Sequence, residues 1–128
     1  MSVKKINIEE VKPRTMPGRN IYDLITSRVL GSKHIALEVT KIAPGKVLRP
    51  CHSHSSEEVM FVVSGKGMVW VDGSVEDLRD GDAVLWPSGS KHSLKNTGNK
   101  ELVLVCAFSN PAYQDDYVQF EDIDPFPE

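Results

Sequence analysis

A chain of 128 residues, 40% hydrophobic and 26% charged, has the size and composition of one globular domain with a real core. Its formal net charge of −3 argues against nucleic acid as a partner, because duplex binding leaves a basic footprint. No apolar run nears the roughly 20 residues that a membrane-spanning helix needs, and Glu9 and Glu10 sit where a signal peptide would need its apolar stretch. Two cysteines, Cys51 and Cys106, make no disulfide framework. The expectation is a cytoplasmic protein with reduced thiols, no nucleic-acid partner and no membrane partner.

Residues 1–21 read as a polar N-terminal arm, broken by Pro13, Pro17 and Gly18, with an edge strand expected near residues 3–8. Short apolar stretches then recur at residues 24–30, 35–42, 58–63, 67–71, 83–86, 92–96 and 102–108. Several are rich in Val, Ile, Phe and Trp, which suits strands. Turn chemistry separates them: Pro44-Gly45, Ser64-Gly65-Lys66-Gly67, Asp72-Gly73, Asp80-Gly81-Asp82, Pro87-Ser88-Gly89 and Asn96-Thr97-Gly98-Asn99. Many short strands with regular turns predict an all-β sandwich or barrel over residues 22–110. The one helical candidate, residues 74–79, is too short to stand alone. Residues 111–128 form an acidic C-terminal tail. Its last fifteen positions hold six acids and no Lys or Arg, so a solvated tail is expected. Tyr113, Tyr117, Phe120 and Phe126 leave open a segment that packs on the barrel or on a second subunit.

Chemistry concentrates in His52-Ser53-His54-Ser55-Ser56-Glu57-Glu58. In a strand, residues two apart share a face, so the two imidazoles aim into one space. Imidazole with carboxylate suits Zn, Fe, Mn, Ni or Cu. Two histidines at that spacing are a weak signal alone, and capping or a salt bridge would also account for such residues. A second block adds Gly81, Pro87, Gly89, His92 and Asn96 in order.

Together the two blocks resemble the paired motifs of the cupin superfamily. The second matches at every specified position. The first, Gly45, His52, His54, Glu58 and Gly65, departs once: six residues separate Gly45 from His52 where the family pattern has five. The resemblance implies a double-stranded β-helix, a jelly-roll barrel, with His52, His54, Glu58 and His92 binding one divalent transition metal (Mn, Fe, Zn, Ni or Cu). Three neutral imidazoles and one carboxylate would leave a divalent ion with net charge near +1 and open positions for water, substrate or dioxygen. Glu58 is preferred to Glu57 because Gly65 follows it at the family interval, and alternation then turns Glu57 outward. Gly65 and Gly67 are expected to take positive φ, and Asn96 to brace a turn.

Alternation from the ligands predicts that Met60, Val62 and Leu94 point inward, with Trp86 near the barrel mouth. Arg49 is expected at the surface, with anion binding as its alternative, and Cys51 away from the metal. His34 stands alone. Phe108 and Tyr113 line the cavity or pack the core. The resemblance implies a metal-dependent small-molecule enzyme, with isomerase, lyase or dioxygenase chemistry. The alternative is a metal-dependent ligand-binding or sensing domain without catalysis. A storage role fits an intact ligand set poorly. Catalytic residues stay unassigned, with Tyr113, Glu38 and Lys91 as possible bases. A homodimer is expected, paired through edge strands, the arm and the tail.

Overall fold

The computed structural model describes residues 1–127. Eleven strands follow in chain order: β1 Arg14–Met16, β2 Arg19–Ile25, β3 Ala36–Ile42, β4 Cys51–His54, β5 Glu58–Ser64, β6 Lys66–Val71, β7 Ser74–Arg79, β8 Ala83–Trp86, β9 His92–Asn96, β10 Leu102–Phe108 and β11 Tyr117–Phe120. One sheet runs β1-β2-β3-β10-β5-β8 and the other β11-β4-β9-β6-β7, with antiparallel pairing throughout. This is the expected all-β jelly roll. The core lies between the sheets, because strand alternation delivers one apolar set inward. In β5, Met60 and Val62 are buried at 1% and 0% exposure while Val59, Phe61 and Val63 stand about half exposed. Leu102, Leu104, Cys106 and Phe108 supply the same inward face from β10, and Leu94 from β9.

Several local expectations are corrected. No strand forms at residues 3–8; a 3-10 turn at Ile8–Glu10 follows instead, capped by reciprocal hydrogen bonds between Asn7 and the Glu9–Glu10 turn. The stretch at 24–30 is mostly not strand. β2 starts earlier, and the chain turns where Thr26 Oγ1 accepts from the amides of Arg28 and Val29. Residues 74–79, too short to stand alone as a helix, form β7, because Asp72 and Gly73 both take positive φ (47° and 91°) and fold β7 back along β6. Only Leu78 of β7 is buried, as suits a charged edge strand.

The tail packs on the barrel in part, while Asp115, Glu121, Asp122 and Asp124 stay exposed. β11 pairs with β4, covering backbone groups that would otherwise form a sheet edge, and Tyr113 and Phe126 are buried. Three of its acids have partners: Asp115 pairs with Arg28, Asp124 with Arg49, and Asp116 accepts from Ser55. Gly65 has the expected positive φ of 110°, but Gly67 does not. Gly67 is required for close approach, since a Cβ there would lie 2.5 Å from the Lys95 carbonyl oxygen on β9. Both cysteines are free and buried. Among the described residues, no helix is long and apolar enough to cross a membrane.

Candidate metal centre

β4 presents His52 and His54 two positions apart, and β9 begins with His92 directly opposite His52. One ring nitrogen from each of the three lies within 4.8 Å of the others, and all three residues are buried. Backbone carbonyls fix the tautomers. His52 Nδ1 lies 3.3 Å from the Pro50 oxygen, His54 Nδ1 2.9 Å from that of Ser56, and His92 Nδ1 2.9 Å from that of Ser90. A carbonyl only accepts, so each Nδ1 carries the hydrogen and each neutral ring keeps its lone pair on Nε2. Orientation of this kind is what metal-binding histidines need. His92 Nε2 is buried with no hydrogen-bond partner in the protein.

Glu58 opens β5 on the facing sheet, and its Oε1 lies 3.0 Å from His54 Nε2. His54 therefore meets an acceptor at each nitrogen. That arrangement calls for positive charge, either as an imidazolium or as a cation between ring and carboxylate. Burial opposes protonation of His54, but the hydrogen bond and charge of Glu58 together outweigh it and raise its pKa. His52 moves the other way, to about 3, through burial first and then the nearby charge of Arg19. Burial also pushes His92 down, aided by His52 and His54. Two neutral imidazoles, a third poised against a carboxylate and an orphaned Nε2 together fit a divalent transition metal. The structure thus clusters the three histidines and sets Glu58 beside them, bonded to one.

A narrow cavity adjoins the cluster, walled in part by Glu38, Met60, Trp86, Leu94, Cys106 and Phe108. The cavity is small, so only a compact ligand fits beside the cluster. Trp86 is not at an open mouth. It is 1% exposed and packs edge-on against His92 at 3.9 Å. Tyr117 of β11 stacks over His52 at 4.9 Å and over His54 at 5.5 Å, so the tail roofs the cluster. Behind Phe108 runs a buried polar chain. Glu38 accepts from Thr40 Oγ1 at 2.6 Å and from the Tyr113 hydroxyl at 3.0 Å, and that hydroxyl also contacts Asp23 at 2.5 Å. Burial first, and then the charge of Glu58, push Glu38 up to about 7. Burial also raises the Cys106 thiol, with Glu38 adding to it.

Of the other residues singled out in the sequence, Arg49 is at the surface and paired with Asp124 at 3.0 Å. Glu57 is exposed, as is His34. Lys91 sits over the Phe120 ring, 4.7 Å from its centroid. Asn96 is a brace: its Nδ2 donates to the carbonyls of Ile42 and Lys100, and its Oδ1 accepts from Gly98. Sequence reasoning missed Arg19 and gave Tyr117 only as one aromatic of a segment that could pack on the barrel; both wall the cavity. Alternation with Ile21 would have pointed Arg19 inward had β2 been started early enough.

Known proteins agree with this architecture. A family model described as "Cupin domain" matches residues 38–108, more than half of the chain. An uncharacterized protein of Methanocaldococcus jannaschii, MJ1618, is 28% identical over 88% of this chain and 90% of its own length. An oxalate-binding protein of Thermotoga maritima is 29% identical over 62% of this chain and 65% of that one. Solved structures of oxalate decarboxylase from Bacillus subtilis superpose with TM-scores of 0.82 at 21% identity and 0.76 at 26% identity, covering 94% and 88% of this chain. This chain spans only about a third of the decarboxylase, 33% and 31% in the two cases. Matched by the domain model across β3 to β10 and sharing the jelly roll of these relatives, the chain belongs to the cupin family.

Proposed function

We propose that this cupin is a metal-dependent enzyme acting on a small molecule, with His52, His54, Glu58 and His92 as ligands of one divalent transition metal. The observation that carries this reading is the convergence of three oriented imidazoles within 4.8 Å, one with a buried, unpartnered Nε2. Bound there, a metal supplies a Lewis acid with positions open for substrate, which serves isomerase, lyase or dioxygenase chemistry. The protein's part is to orient the rings through Pro50, Ser56 and Ser90, and to exclude bulk water with Trp86 and Tyr117. Glu38, a cavity carboxyl outside the ligand set, is held by Thr40 and Tyr113 where it can hold or release a proton.

The second reading is metal-dependent binding without catalysis, favoured by the likeness to an oxalate-binding protein. Incubating metal-loaded protein with small carboxylates, in air and without oxygen, and following them by NMR separates the two. Product formation supports the enzyme. Tight binding with every substrate returned unchanged supports the binder and refutes catalysis. The free thiols of Cys51 and Cys106 favour a cytoplasmic setting.

A homodimer also belongs to this reading, and we place its surface away from the tail, whose β11 is already paired with β4. The outer face of the larger sheet carries two apolar cross-strand rows. Ile25, Leu37, Ala107, Val59 and Leu85 form one, and Tyr22, Val39, Val105, Phe61 and Ala83 the other. Neither row contains a charged residue, and Val59, Phe61 and Leu85 are 51%, 49% and 55% exposed. Such rows span roughly 19 Å across five strands. A second copy, meeting the same patch about a two-fold axis, supplies a matching apolar face.

A further inference from the structure

Arg19 opens β2 opposite Ile42 and turns inward, so that only 6% of it is exposed. It walls the same cavity as His52, His92 and Glu38, and its charge bears on both histidines. Its Nη1 is buried with no hydrogen-bond partner, and its Nη2 has only the Met16 thioether, at 3.6 Å. Among the described residues, no carboxylate forms a salt bridge with it. Arg14, Arg28 and Arg49, by contrast, each hold an aspartate, at 2.6, 2.6 and 3.0 Å. Glu38 shares the cavity but is engaged by Thr40 and Tyr113. A buried guanidinium without a counter-ion is costly, and its planar donor fork matches a carboxylate.

We propose that Arg19 is the anion-recognition residue of this cavity, gripping the carboxylate of a compact ligand whose other end faces the histidine cluster. The inference rests on the metal-centre reading above, and it narrows the ligand to a small carboxylate. The cavity limits its size, and Tyr117 caps it over His52. Arg49, the arginine nearer to the histidines in sequence, is already neutralised by Asp124 at the surface.

The test is calorimetric titration of the whole chain, metal-loaded and metal-free, with oxalate and acetate as charged probes and oxamide and acetamide as neutral counterparts. Arg19→Met, Arg19→Gln and Arg19→Lys are compared with the parent protein, with metal content and unfolding midpoint measured for each. The expected result is preference for the acids over the amides. Arg19→Met and Arg19→Gln should keep their metal yet lose at least tenfold in affinity for the acids. Arg19→Lys, which keeps the charge and guards against a folding artefact, should recover part of that loss. Equal affinity for acid and amide overturns the proposal, as does undiminished oxalate binding by metal-replete Arg19→Met or failure of the parent protein to bind either acid. A parent protein that takes up no metal defeats the metal centre instead, and the metal-free titration still decides on Arg19.

Discussion

Replacing His92 by alanine separates what this side chain does for the fold from what it does for a metal. His92 is 1% exposed and packs against Trp86 at 3.9 Å, so losing the ring opens a cavity. Truncating a buried aromatic ring costs about 3–5 kcal/mol, while removing a buried atom with no partner returns about 1–3 kcal/mol. The Ser90 carbonyl loses its donor at a similar cost, so the metal-free variant is expected to be about 4 kcal/mol less stable than the parent. Metal changes the comparison. A ligand present at about 1,000 times its Kd stabilises by about 4.1 kcal/mol. With an unfolding entropy near 2.1 cal/mol/K per residue, that raises the midpoint of a chain this long by about 15 °C. The parent protein should show such a rise on adding Zn or Mn after chelator treatment, and His92→Ala should show a small fraction of it. The assay is thermal unfolding of both proteins with and without metal. Equal metal-induced shifts in the two would refute the assignment of His92 as a ligand.

Glu38 is raised from 4.5 to about 7 in the fold, so its contribution is complete at low pH and is lost as pH rises from about 4.5 through 7. Glu38→Gln has no such proton to lose. Its stability relative to the parent should therefore increase across that window, by on the order of 3 kcal/mol. Parallel unfolding curves from pH 4 to 8 would contradict this. Gly67→Ala would force a Cβ to within 2.5 Å of the Lys95 carbonyl, with a loss of about 3 kcal/mol or more expected in urea unfolding. A loss below about 1 kcal/mol would show that β6 and β9 can separate freely. The parent protein should be a dimer by light scattering at micromolar concentration, and Phe61→Glu with Leu85→Lys should make it monomeric. A parent monomer, or a dimer indifferent to both changes, refutes the sheet-face interface.

Much of this molecule was legible from local pattern. Strand alternation from Glu58 put Met60 and Val62 inward, and both are buried. Residues 83–86, 92–96 and 102–108 are strands with the expected bounds, because Gly, Pro and Asn punctuate them sharply. The spacing of His52 and His54 was a weak signal alone, and the resemblance to cupin motifs added His92; the cluster forms because β4 and β9 lie side by side. What the pattern hid depends on pairing across long separations. β7 has only Val75 and Leu78 as apolar residues and becomes a strand because the Asp72-Gly73 turn lays it on β6. The tail reads as acidic and solvated, yet β4 needs a neighbour, and Tyr117 reaches the histidines only when β11 fills that edge. Arg19 was hidden because an arginine in a polar arm looks like surface until its strand and face are known.

Elemental analysis of the purified protein tests most directly whether three histidines and Glu58 hold a single metal. Close to one divalent transition metal per chain is expected, largely lost in His54→Ala and in Glu58→Ala. A protein that stays metal-free after incubation with Mn, Fe, Zn, Ni and Cu would contradict it, as would metal content unchanged by both substitutions.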